Sequence, residues 1–105
     1  MQLAEVLPLG TSATELHLAG NKISDRGAKA MAAAFAEGAM PKLKELNLSH
    51  NQIGDEGAVA LAEAVGKGAL PELKRLHLRS NKLSQTAKDA WKAVKATRSG
   101  LEVEL

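Results

Sequence analysis

The chain repeats itself at intervals of thirty residues, and no other feature limits its fold so strongly. The stretch LKELNLSHNQIGDEGAVALAEAV (43–65) recurs thirty positions earlier as ATELHLAGNKISDRGAKAMAAAF (13–35). Thirty positions later it recurs as LKRLHLRSNKLSQTAKDAWKAVK (73–95). The leucine pairs Leu16/Leu18, Leu46/Leu48 and Leu76/Leu78 stay in step, as do Asn21, Asn51 and Asn81, and Ile23, Ile53 and Leu83. A unit this short cannot bury its own apolar face. A fixed period of this size therefore predicts a solenoid of stacked strand–helix units, of class α/β.

Within each unit the pattern changes from strand to helix. Glu15–Ala19, Glu45–Ser49 and Arg75–Arg79 alternate leucine with polar residues, as a sheet buried on one face requires. Units of one hand stacked in order pair these strands in parallel, each joined to the next by a helical crossover. The leucines then face the helices. Glu15, His17, Ala19, Glu45, Asn47, Ser49, Arg75, His77 and Arg79 face out from the inner curve.

A buried amide at the turn carries both donors and acceptors, so Asn21, Asn51 and Asn81 are expected to form a ladder that satisfies the turn backbone. The helices are expected to start behind Asp25 and Asp55 as N-caps, with Ser84 or Thr86 capping the third, where Gln85 replaces the aspartate. Their inward faces read Ala28, Met31, Ala34 and Phe35, then Ala58, Leu61, Ala64 and Val65, then Ala87, Trp91 and Val94. Gly38 and Gly68, each followed three residues later by a proline, stop the first two helices, and Gly100 stops the third.

These units divide the 105 residues of one domain into a partial N-terminal repeat (1–12), repeats at 13–42, 43–72 and 73–100, and a terminal strand at 101–105. In the first segment Ala4–Leu7 reads as the tail of a helix ended by Pro8 and Gly10. In the last, LEVEL, loss of one linker residue sets Val103 and Leu105 where Leu46 and Leu48 stand, with Glu102 and Glu104 on the inner face. Both ends look open, with Leu3, Val6 and Leu7 at one and the last strand's edge at the other.

The pattern LxxLxLxxNxIxDxGAxxLAxAL, carried by LKELNLSHNQIGDEGAVALAEAV and repeated twice in frame, resembles the ribonuclease-inhibitor-like class of leucine-rich repeats. That class occurs in cytosolic innate-immune receptors, in the GTPase-activating protein of Ran and in ribonuclease inhibitor. The resemblance implies a leucine-rich-repeat solenoid of about three and a half repeats of thirty residues, with a curved parallel sheet inside and helices outside. It marks a scaffold rather than a chemistry, and its motif positions are core and turn positions. The GxxP linkers make the repeat slightly longer than is usual for the class, and the inner face lacks aromatic residues.

Composition removes most chemistry. There is no cysteine, so disulfides, thiolate catalysis and cysteine-ligated zinc are excluded. His17 and His77 fall two strands apart, about 10 Å at the usual strand spacing, too far for one metal ion to bridge. His50 lies beyond the strand end. No serine or threonine has a histidine and an acid at matching positions. Glu15 and Glu45 are neighbours on adjacent strands, but an open sheet does not shield a carboxyl from water. The glycines form neither GxGxxG nor a P-loop. No enzyme, cofactor, metal or small-molecule substrate is expected.

The net charge is +2, and the basic residues are mixed with acids, which disfavours nucleic acid. Lys88, Lys92, Lys95 and Arg98 on the third helix, of which the first three form one stripe, are interrupted by Asp89. They read as a solvated face, and Lys42, Lys44, Lys67 and Lys74 as scattered charge. MQLAEVLPLG lacks the basic and apolar regions of a signal peptide, and no apolar run is long enough for a membrane span. A cytoplasmic location is the expectation.

What is left is the inner sheet. The expected function is a protein-binding scaffold whose recognition residues are Glu15, His17, Glu45, Asn47, Arg75, His77 and Arg79, centred on Arg75, His77 and Arg79. On this reading Arg75 has acids on both sides and Arg79 is less clearly paired. One alternative is a structural subunit or fragment that self-associates through its repeat ends. Another, by family analogy, is a regulator of a small GTPase.

Overall fold

The computed structural model describes residues 13–105. The expected partial repeat at 1–12, with its helix tail, its stop at Pro8 and Gly10 and its open apolar end, lies outside the described residues. Strands β1 (Glu15–His17), β2 (Glu45–Asn47), β3 (Arg75–His77) and β4 (Glu102–Glu104) alternate with helices α1 (Asp25–Ala36), α2 (Asp55–Gly66) and α3 (Gln85–Thr97). The strands form one parallel sheet in the order β1-β2-β3-β4. Leu16, Leu46, Leu76 and Val103 stack as one column in register.

Each strand is shorter than the alternation suggested, but its pairing outlasts it. Leu18 N donates to Asn47 O and Gly20 N to Ser49 O, as Leu48 N does to His77 O and His50 N to Arg79 O. Gly20, His50 and Ser80 all adopt positive φ, which turns the chain out of the sheet at one level in every repeat. Histidine and serine bear a left-handed backbone that glycine takes at no steric cost.

The core lies between the sheet and the helices. Leu43, Leu46, Leu48, Ile53, Leu61, Leu76 and Leu78 are buried, together with Met31, Phe35 and Trp91. Trp91 takes the place of Met31 and Leu61 and is fully buried, with its indole N–H lacking a partner among the described residues. Leaving such a donor unpaired costs about 1–3 kcal/mol against the apolar area the ring buries. The small residues are buried on two sides. Ala32 and Ala62 join the core, whereas Ala34, expected inside, is half-buried. Alanine at these sites lets neighbouring helices approach closely.

α1 and α2 end alike. Gly38 N donates to Phe35 O and Ala39 N to Ala34 O, and Gly68 N and Ala69 N repeat the pair on Val65 O and Ala64 O. The glycines sit at φ 101° and 107°, the left-handed cap of a Schellman motif. α3 ends differently. β4 pairs Val103 with Leu76, twenty-seven residues on, whereas Leu76 pairs with Leu46, thirty residues back. Three residues are missing before the last strand, not one.

In place of the missing turn stands the Arg98 side chain. Its guanidinium donates to the carbonyls of Val65, Ala69 and Leu70 at 3.3, 3.0 and 2.6 Å. Arg98 thus belongs to the packing between repeats rather than to the basic face of α3. Partial burial holds it below its ordinary pKa.

The aspartates also act between repeats rather than as caps of their own helices. The N-cap positions are Ser24, Gly54 and Ser84, and none makes a side-chain cap bond. Instead Asp25 Oδ1 accepts from Gly54 N and Gly57 N of the next repeat, at 2.7 and 2.9 Å. α2 is therefore capped from α1. A Cβ on Gly57 would lie 2.8 Å from both Ala28 Cβ and Asp25 Oδ1, so glycine is what admits the carboxylate. In the third repeat the equivalent residue is Ala87, and Asp55 reaches only Ser84, through its backbone N–H and its hydroxyl.

α3 presents a polar outer face. Its buried residues are Ala87, Trp91 and Val94, while Lys88, Asp89, Lys92 and Lys95 are exposed. The edge of β4 away from β3 is unpaired among the described residues, as expected of the last strand.

Candidate functional site on the inner face of the sheet

Parallel pairing fixes which side chains meet on the inner face. One level runs Glu15, Glu45, Arg75 and Glu102, and the next His17, Asn47, His77 and Glu104. All seven residues singled out from the sequence lie on or beside this face, on β1 to β3 and, for Arg79, just past the end of β3.

They divide into two groups. On β1, His17 Nε2 lies 2.8 Å from Glu15 Oε1 on the same strand, and both side chains are more than half exposed. The larger group centres on His77, whose side chain is only 18% exposed. Its Nε2 lies 3.0 Å from Glu45 Oε2 and its Nδ1 2.9 Å from Glu104 Oε2. An imidazole donates at both nitrogens only when both carry protons. Glu104 Oε1 also faces Arg79 Nε at 3.5 Å, and Arg75 Nε faces Glu102 Oε2 at 3.5 Å.

This differs from the sequence reading in two places. Glu45 turns to His77 one level along rather than to Arg75, so Arg75 has one acid and not two. Arg79, expected to be less clearly paired, is joined to Glu104. The reason is reach: Glu104 lies on β4 opposite His77 and serves His77 and Arg79 from its two oxygens. Exposed pairs of this length contribute about 0–1 kcal/mol each, so the network orients side chains more than it stabilises the fold. Asn47 is occupied locally, its Oδ1 accepting from Ser49 N and Ser49 Oγ at 3.0 and 2.7 Å.

The turn asparagines lie at the rim and are structural. Asn51 Oδ1 accepts from Asn21 N and Ile23 N, both at 2.9 Å, while its Nδ2 reaches the carbonyls of Leu18, Leu48 and Ser49. Asn81 does the same for Ile53 N and for the carbonyls of Leu48, Leu78 and Arg79. The ladder exists, and its Asn51 and Asn81 rungs each tie a repeat to the one before it.

Among the described residues, no group of three histidines or acids is placed to hold a metal ion. None of the helices described is long and apolar enough to cross a membrane. Lys44 and Lys74, read earlier as scattered charge, lie beside the sheet at its N-terminal rim and line a groove there. Their thirty-residue spacing was visible in the sequence, but the absence of a lysine at position 14 hid it.

A parallel sheet with in-register leucines, an asparagine ladder and one helix per unit defines a short α/β leucine-rich-repeat solenoid. Residues 14–32 and 39–62 match the family model described as leucine rich repeat, which supports a leucine-rich-repeat protein. No curated protein matches the chain.

Proposed function

We propose that the chain is a protein-binding scaffold of the ribonuclease-inhibitor-like class, acting in the cytoplasm, that recognises its partner on the inner face of the sheet. Leucine-rich repeats are in general protein-interaction modules, and solenoids bind along such concave surfaces. The observation that carries the reading is the network of Glu45, His77, Glu104 and Arg79, which holds charged groups in fixed positions on an open face. Side chains already ordered lose less entropy when a partner docks. Function then lies in Glu15, His17, Glu45, Asn47, Arg75, His77 and Arg79 by presentation and not by catalysis. Arg75→Glu combined with Arg79→Glu should abolish partner capture by the immobilised chain while its melting temperature moves by only a few degrees. Capture that survives the double variant places recognition elsewhere.

A second reading has support from β4, whose outer edge is unpaired among the described residues. It is assembly with other chains through the sheet end, and sedimentation at several concentrations tests it. Regulation of a small GTPase rests on the resemblance alone.

A further inference from the structure

We propose that the groove across the N-terminal ends of the strands takes an acidic peptide segment, held by Lys44 and Lys74. The proposal deepens, and rests on, the reading of the sheet as a protein-docking face. The groove has a volume of about 370 Å³ and is lined by Glu15, Glu45 and Glu102 together with Lys44, Lys74 and Arg75. That is near the lower end of ligand-site volumes, which suits a few residues of extended chain rather than a folded surface.

The groove has equal numbers of acids and bases, but its acids are already engaged. Glu15 pairs with His17, Glu45 with His77, and Glu102 with Arg75. The side chains of Lys44 and Lys74 have no ion-pair or hydrogen-bond partner among the described residues. Their backbones are nevertheless fixed, since Lys44 N donates to Thr14 O at 2.7 Å and Lys74 N to Lys44 O at 2.8 Å. Two ammonium groups, unpaired among the described residues, therefore start from rigid points just before β2 and β3, about 4.8 Å apart at the backbone.

Alternate side chains of an extended peptide lie on one face about 6.6 Å apart. Flexible lysines reach two such carboxylates without rearranging the sheet. A polyphosphate backbone fits less well. It would present continuous charge to Glu15, Glu45 and Glu102 as well, and the groove has no aromatic residue for base stacking.

The test is fluorescence anisotropy at low salt, with the whole chain titrated into a labelled peptide of alternating Glu and Ala. The same peptide with Gln for Glu, and a single-stranded RNA of equal charge, serve as comparators. The acidic peptide should bind and the Gln peptide should not. Lys44→Gln with Lys74→Gln should lower affinity about tenfold, whereas Lys88→Gln with Lys92→Gln on the outer helix should leave it unchanged. Equal binding of the Gln peptide, tighter binding of the RNA, or full affinity in the Lys44/Lys74 variant overturns the proposal. If the acidic peptide fails to bind while partner capture still depends on Arg75 and Arg79, the groove assignment falls and the inner-sheet reading stands. If peptide binding follows Lys44 and Lys74 while capture ignores Arg75 and Arg79, the groove stands and that strip falls.

Discussion

Asn21, Asn51 and Asn81 occupy one position of the repeat, yet replacing them with alanine should cost very different amounts. Asn51 is buried and its Oδ1 is the acceptor for two backbone N–H groups, of Asn21 and of buried Ile23. A buried donor left unpaired costs about 1–3 kcal/mol. Asn21 N lies in an exposed turn and water can replace part of its bond. Leu48 O keeps its bond from Asn81 when Asn51 is lost. Together these give about 3 kcal/mol for Asn51→Ala. Asn81→Ala strands only Ile53 N and should cost about 2 kcal/mol. Among the described residues the Asn21 side chain donates only to Ala19 O at 3.2 Å, and loss of that bond should cost about 0.5 kcal/mol. A domain of this size shifts its melting temperature by about 4–8 °C per kcal/mol, so Asn51→Ala should melt on the order of 15 °C lower. Urea unfolding with a shared m-value gives all three differences. Equal costs, or Asn21 as the costliest site, would refute the account of the ladder as a set of bonds between repeats.

Gly57→Ala should destabilise by about 1–3 kcal/mol despite alanine's better helix propensity, because the new methyl meets Ala28 and Asp25 at 2.8 Å. Gly66→Ala should instead stabilise by up to about 1 kcal/mol, since its nearest neighbour is Val94 Cγ2 at 3.6 Å. The same urea titrations check both. Arg98→Ala should cost about 2 kcal/mol through the carbonyls it leaves on Val65, Ala69 and Leu70, and Arg98→Lys should recover only part of this because an ammonium lacks the planar fork. Thermal melts of the two variants decide it. Hydrogen bonds from Ser84 hold the Asp55 carboxyl below its ordinary 3.8. A lowered folded pKa gives stability that is present above the unfolded value and lost as pH falls through the folded one. Ser84→Ala should therefore flatten the fall in stability below about pH 4, read from urea midpoints between pH 2 and 6.

The fold was largely legible because it is written three times. The leucines at positions 46 and 48 and their counterparts set strand, face and pairing order, and Gly38 and Gly68 marked where helices stop. The inner-face residues followed from the same alternation. Their partners did not, since which carboxylate a histidine meets depends on side-chain reach across strands. Hence Glu45 appeared to belong to Arg75 when it faces His77. Asp25 and Asp55 sit where a helix begins, so local capping was the natural reading. Both serve the neighbouring repeat instead, and Asp25 reaches deepest because Gly57, thirty-two residues on, leaves room for its carboxylate.

By itself the sequence determined the class of fold, the register of the first three strands and the face turned to solvent, because these follow from a short period repeated without drift as far as β3. Only the tertiary structure decided how repeats are joined: the unequal asparagines, the aspartates acting one repeat ahead, and Arg98 in place of a three-residue turn. Those choices depend on distances between elements some thirty residues apart, and periodicity carries spacing along the chain but not separation across it.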